Sequence, residues 1–185
     1  MIEETLEETR ENMDKSIASL KNELKKVRTG RASLALLDGV KVDYYGTPTP
    51  LNQVASLSVP ENRLITIQPW DASVIKEIEK AILKSDLGLT PSSDGKIIRI
   101  TIPQLTEERR KELVKIVSKM SEDHKVAVRN IRRDSNELIK SLKKDGDVSE
   151  DDAFKAQDKI QKITDEYIHS IEEIYKEKEK EILEF

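Results

Sequence analysis

The side chains in this sequence best suited to a chemical task are cationic. Arg110, Lys111, Lys115, Lys125, Arg129, Arg132 and Lys140 fall within about 80° of Lys125 on a helical wheel of about 100° per residue. A guanidinium is a rigid fork of donors that matches phosphate oxygens, so such a row at helical spacing can track a nucleic-acid backbone. A second side of the same wheel is apolar, and a third carries Glu108, Glu112, Asp123, Asp134 and Glu137. Two readings fit this sorting: a solvated face laced with i,i+4 ion pairs, or a phosphate-binding stripe. Charge alone does not choose between them. Residues 106–144 contain no aromatic side chain, which argues against stacking on splayed bases. The phosphate reading therefore takes the form of contact with the backbone of folded RNA.

Other chemistry finds little support. The two histidines, His124 and His169, lie on different predicted helices and in no ligand spacing. His124 falls in an apolar stripe and is expected to be a packed core residue. Gly46-Thr47-Pro48-Thr49-Pro50 resembles a phosphate loop only superficially, because prolines remove the amide donors such a loop needs. Nucleophile elbow, P-loop and dinucleotide motifs are missing, so no enzyme activity, cofactor or metal is expected. With no cysteine, a disulfide framework and thiolate metal sites are excluded.

These cationic residues have to be held by long elements. The chain has 185 residues, 36% hydrophobic and 37% charged, with 4% aromatic. That balance suits elongated helices with one narrow buried stripe each better than one large core. Net charge is −4, yet residues 106–144 hold 12 basic and 7 acidic side chains, net +5, and residues 145–185 hold 6 and 14, net −8. The N-terminus is acidic and no apolar run is long enough for a membrane span, so a cytoplasmic location is expected.

Leu6, Met13, Ile17, Leu20, Leu24 and Val27 predict a first helix over about residues 3–29, with Arg10 in its one polar slot. Leu113, Val117, Met120, His124, Val128, Ile131, Ser135, Leu138 and Leu142 form the stripe of a second, with Thr106 as N-cap. Ser149 can cap a third, with the stripe Ala153, Ala156, Ile160, Ile163, Tyr167, Ile171 and Ile174. Between the first two, residues 31–105 hold all six prolines. Alternation at Val40–Asp43, Ile65–Gln68 and Ile98–Ile102 predicts strands, and Asp71 can cap a helix faced by Val74, Ile75, Ile78 and Ile82. The expectation is an α+β chain of two domains. Residues 1–30 and 105–185 form a long antiparallel three-helix bundle, and residues 31–104 form a small β/α/β insert. Two short adjacent connections make a hinge of restricted motion.

Six blocks then carry a resemblance that runs from end to end: Arg28–Ser33, Asp43–Leu51, Ser85–Leu89, Leu105–Lys111, Val126–Asp134 and the closing Phe185. In these the chain resembles the bacterial ribosome recycling factors. The resemblance implies an L-shaped molecule similar in outline to transfer RNA. It also implies binding to the large subunit of the post-termination ribosome, and subunit dissociation with elongation factor G and GTP hydrolysis. Ribosomal RNA contacts would fall on Arg110, Arg129 and Arg132, with Lys111, Lys125 and Arg133 as further candidates. Arg28, Gly30, Arg31, Ala32, Pro103, Gln104 and Leu105 would form the hinge, Gln104 standing where the family often has a second proline. Tyr44, Tyr45, Gly46, Thr47 and Pro48 would face elongation factor G. A monomer with no membrane partner is expected. The competing reading is a helical structural adaptor or chaperone, which would need an exposed apolar groove that the stripes do not leave over.

Overall fold

The computed structural model describes residues 1–184; Phe185, the last of the six blocks, lies outside the described residues. The described chain divides into two compact units, Met1–Val27 with Glu108–Glu184, and Arg28–Glu107.

The first unit is three helices, α1 (Ile2–Lys25), α3 (Glu107–Lys144) and α4 (Glu150–Glu184). Side-chain contacts give their directions. Thr9 meets Ser135 and Ser16 meets His124, so α1 and α3 are antiparallel. Lys125 meets Glu172 and Arg132 meets Gln161, so α3 and α4 are antiparallel as well. Glu3 meets Lys159 and Arg10 meets Glu166, so α1 runs parallel to α4. The turn between α3 and α4 is closed by Asp147 N–H to Leu142 O (3.0 Å) and Gly146 N–H to Lys143 O (3.2 Å), a Schellman pair that uses the positive φ of Gly146. Ser149 then accepts from Asp152 N–H at 3.1 Å and caps α4, as its sequence position predicts.

The expected stripes need three corrections. α1 ends at Lys25 instead of continuing to 29. Its last turn tightens through i→i−3 bonds from Lys26 and Val27 before the chain reverses at Gly30, φ +78°. The polar slot of α1 is filled by buried Thr5 and Thr9, while Arg10 is exposed toward Glu166. On α3, Ile139 is buried and Leu138 is 44% exposed, the reverse of the expected pattern. Over a helix of roughly 57 Å, a small error in assumed period moves the stripe by one residue at its far end.

The second unit is built on sheets. β1 (Lys41–Tyr44) and β2 (Thr47–Pro50) form a hairpin, and β3 (Ala55–Glu61), β4 (Leu64–Pro69), β5 (Pro91–Ser93) and β6 (Ile98–Thr101) form an antiparallel sheet in the order β3-β4-β6-β5. α2 (Ile75–Lys84) packs its buried Ile75, Ile78 and Ile82 into one core with Val42, Ile65, Ile67, Ile98 and Ile100. The predicted strands are β1, β4 and β6. The strands missing from the sequence reading are β2, β3 and β5, all at sheet edges, each bearing proline. An edge strand needs neither full alternation nor every N–H, so its pattern is weak. The α+β class holds.

Candidate nucleic-acid interface

Three members of the cationic row, Arg110, Lys125 and Arg132, reach across from α3 to α4, and the row's members differ in how far they are already engaged. Arg110 Nη1 donates to the carbonyls of Leu183 (2.7 Å) and Ile182 (3.3 Å), so its guanidinium caps the last turn of α4, where the helix dipole is negative. Lys125 is 15% exposed, with Glu122 at 3.1 Å and Glu172 at 3.3 Å. Burial pulls its pKa down, but hydrogen bonds and charge from the two carboxylates outweigh that and raise it. Arg132 donates to Gln161 Oε1 at 3.3 Å, leaving most of its fork of donors unused. Arg133 is exposed and has a long contact with Asn130 (3.5 Å). Arg129 is half-buried and has no hydrogen-bond or ion-pair partner among the described residues. Lys111 is exposed and engaged within the chain.

The arginines at 129, 132 and 133 thus keep donors available, while Arg110 and Lys125 also tie α3 to α4. One turn beyond Arg132, the Oδ1 of Asn136 is enclosed and lacks a partner among the described residues. On the opposite side, His124 is not a purely packed residue. Its Nδ1 is 3.0 Å from Ser16 Oγ and its Nε2 is 3.4 Å from Glu23 Oε2, which ties α3 to α1. Among the described residues no cluster of His, Cys, Asp or Glu could hold a metal ion, and no helix is long and apolar enough to cross a membrane.

The residues expected at the hinge belong to the second unit. Arg28 Nη1 donates to Leu87 O at 2.6 Å, in the loop after α2. Thr29, Gly30 and Ala32 are buried, whereas Arg31, Pro103 and Gln104 are exposed and Leu105 is half-buried. Ala32 N–H donates to Asn62 O (2.6 Å) and Ile102 N–H to Arg63 O (2.8 Å). Both crossings are therefore anchored on consecutive residues of the β3–β4 turn, a fact no local pattern announces. In the β1–β2 hairpin, Tyr44 is half-buried, and Tyr45, Gly46, Thr47 and Pro48 are exposed.

Relatives carry the same architecture. The ribosome recycling factor family model matches residues 20–183. The ribosome-recycling factor of Desulfatibacillum aliphaticivorans is 70% identical over 185 residues, covering all of both chains. That of Geobacillus kaustophilus is 57% identical over 184 residues, again covering all of both. A solution structure of a ribosome recycling factor is 43% identical, covers 100% of this chain and 98% of its own, and superposes with a TM-score of 0.77. A second solved structure is described as models for the T. thermophilus ribosome recycling factor and the E. coli elongation factor G bound to the E. coli post-termination complex. It is 48% identical with a TM-score of 0.65, and covers 99% of each chain. Fold and likeness together define a translation factor that is not an enzyme. The chain belongs to the ribosome recycling factor family.

Proposed function

We propose that the chain binds the ribosomal RNA of the large subunit in post-termination ribosomes through the arginine row of α3. With elongation factor G and GTP hydrolysis it then promotes subunit dissociation and release from messenger RNA. The observation that carries this reading is Arg129, an arginine without a partner among the described residues, near Arg132 and Arg133, whose donors are largely unspent. A guanidinium still open to solvent, with no acceptor of its own, can offer its fork of donors to phosphate oxygens. Arg110, Lys111 and Lys125 would add positive potential along the same path. The second unit would take the thrust of the GTPase at Tyr44–Pro48, moving about Arg28, Gly30, Arg31 and Ala32 on one crossing and Pro103, Gln104 and Leu105 on the other. The protein would act as a monomer in the cytoplasm.

The test is binding to large subunits across a salt series. Arg129→Glu and Arg132→Glu should each weaken binding and reduce the slope of log affinity against log salt by about one unit per lost phosphate contact. Variants that bind like the parent at every salt concentration would remove these arginines from the interface. Free subunits counted after incubation with post-termination ribosomes, elongation factor G and GTP test the activity itself.

A further inference from the structure

The chain contains three Asp-Gly steps, Asp38–Gly39, Asp94–Gly95 and Asp145–Gly146, and no Asn-Gly step. An Asp-Gly step is a place where a polypeptide can rearrange without an enzyme. The glycine nitrogen attacks the aspartate Cγ to form a C–N bond and a Cγ–O bond breaks. Water leaves, made of that carboxyl oxygen, its proton and the amide proton. A second water then opens the resulting succinimide. Attack at Cγ restores aspartate, while attack at the backbone carbonyl leaves the chain running through the side chain, as isoaspartate. Nothing is oxidised or reduced. The reaction needs a free glycine nitrogen, a carboxyl that can be protonated and turn toward it, and a peptide able to rotate.

The fold meets these conditions very unequally. At Asp94 the carboxylate is pinned. Its Oδ1 accepts from the amides of Lys96 (3.0 Å) and Ile97 (2.9 Å), and its Oδ2 from Arg99 Nη1 (3.0 Å). The Ile97 and Lys96 amides, and then the Arg99 guanidinium, hold its pKa down at about 2, which keeps it in the unreactive ionised form. Gly95 N–H is engaged as well, donating to Ser93 Oγ at 3.1 Å. At Asp145 the glycine nitrogen is the obstacle. Gly146 N–H donates to Lys143 O in the Schellman pair after α3, so rotating this peptide breaks the helix stop.

Asp38–Gly39 has none of these restraints. Val40 N–H donates to Leu37 O at 3.2 Å, closing a four-residue turn whose corners are Asp38 (φ −61°, ψ 133°) and Gly39 (φ +83°). Those angles define a type II turn, which takes glycine at its second corner. The Asp38 carboxylate and the Gly39 N–H have no partner among the described residues, and both residues are exposed. Gly39 tolerates either sign of φ, so the central peptide can flip. The turn is nevertheless tied to the core. Leu37 and Val40, on either side of it, are buried, and Val40 O accepts from Leu51 N–H at 3.3 Å. An isoaspartate would insert one extra backbone atom between two anchored residues.

We infer that Asp38–Gly39 is a modification site, the step at which this chain forms succinimide and isoaspartate, and that the hydrogen bonds around Asp94 and Gly146 suppress the same reaction at the other two steps. The product bears its α-carboxylate on a branch off the main chain, the group that an S-adenosylmethionine-dependent isoaspartyl methyltransferase esterifies.

The test is to age the full folded chain at neutral pH, digest it with trypsin and count isoaspartate in peptides 32–41, 85–96 and 145–155, which separate the three steps. Isoaspartate splits a chromatographic peak without changing its mass, and methyl uptake with an isoaspartyl methyltransferase as probe measures it independently. Peptides 85–96 and 145–155 should hold on the order of ten-fold less than 32–41, because hydrogen bonds must break before their rings can close. In denaturing urea the three should become alike. Asp38→Ser should remove most methyl uptake from the folded chain, and after ageing it should unfold at a higher temperature than the aged parent. Ser93→Ala combined with Arg99→Ala should raise isoaspartate in 85–96 several-fold, with circular dichroism confirming that the variant is folded. Equal isoaspartate in the three peptides of the folded chain, or most of it outside 32–41, would overturn the assignment. A preference for 32–41 that survives in urea would trace to local sequence and overturn the protective role of the fold.

Discussion

The two units bury their interiors in opposite ways. The sheet unit closes on branched aliphatics, with Ile65, Ile67, Ile78, Ile82, Ile98 and Ile100 all fully enclosed. The helical unit mixes Met13, Leu20, Ile160 and Ile171 with buried Thr5, Thr9, Ser121, Ser135 and Thr164. Those hydroxyls largely satisfy themselves: Thr9, Ser121, Ser135 and Thr164 each reach the carbonyl four residues back, at 2.6, 3.0, 2.9 and 2.7 Å. A hydroxyl bonded to its own helix can be buried cheaply but instructs no neighbour. The contact that does cross is Thr9 to Ser135, 2.7 Å, inside the core between α1 and α3; each hydroxyl has one proton, so one of the two donates across and the other to its own carbonyl. The sheet unit is thus specified by apolar shape, and the bundle by a thin core whose register depends on a few polar contacts.

Breaking the first mode should have the largest effect. Ile67→Ala, at the centre of β4, should cost about 2–5 kcal/mol in denaturant unfolding. The loss should fall on the sheet unit, leaving far-ultraviolet helicity from α3 and α4 in place after the sheet resonances lose their dispersion. A single transition shifted as a whole would mean that the two interiors are energetically one. The second mode should respond less. In a double-mutant cycle of Thr9→Val and Ser135→Ala, the coupling should be about 1 kcal/mol, with the double variant less destabilised than the sum of the singles. Strict additivity would deny the contact its role in register.

The smallest effect concerns pH. Burial, then the hydrogen bond and charge of Asp14, push the Tyr167 pKa up to about 12, the hydroxyl lying 2.6 Å from Asp14 Oδ1. The folded value lies above the ordinary one, so the stabilisation is complete below pH 10 and is lost as pH rises toward 12. Tyr167→Phe should flatten that decline in thermal melts, and an equal slope in parent and variant would place the sensitivity elsewhere.

How much of this was legible in the sequence follows the same division. Helical stripes are local, so Leu113, Val117, Val128, Ile160 and Ile163 could be placed without knowing their partners. Central strands alternate because both neighbours and a helix cover them, which exposed Ile65–Gln68 and Ile98–Ile102 to view. Edge strands such as Thr47–Pro50 and Pro91–Ser93 take their conformation from one neighbour, and nothing within them says so. In the cationic row, helical spacing put the arginines on one face. Which of them were already spent, as Arg110 is on the carbonyls of α4, depended on residues more than seventy positions away. Tyr45 could be read as part of a turn block, but the hydrogen bond of its hydroxyl to Asp71 required the tertiary fold.

The anchoring of Ala32 on Asn62 and of Ile102 on Arg63 has a consequence for how the chain assembles. For α1 to find α3, the polypeptide must close a loop of roughly 80 residues, an entropic cost that grows as (3/2)RT ln n. Once the sheet unit has formed, its two exits, at Ala32 and Ile102, are hydrogen-bonded to successive residues of one turn, and the loop left to close is only the few linker residues on either side. Shortening it from roughly 80 to about 10 residues lowers the closure cost by about 2 kcal/mol. The insert thereby serves as a folded splice that makes a distant helix pair behave as a near one.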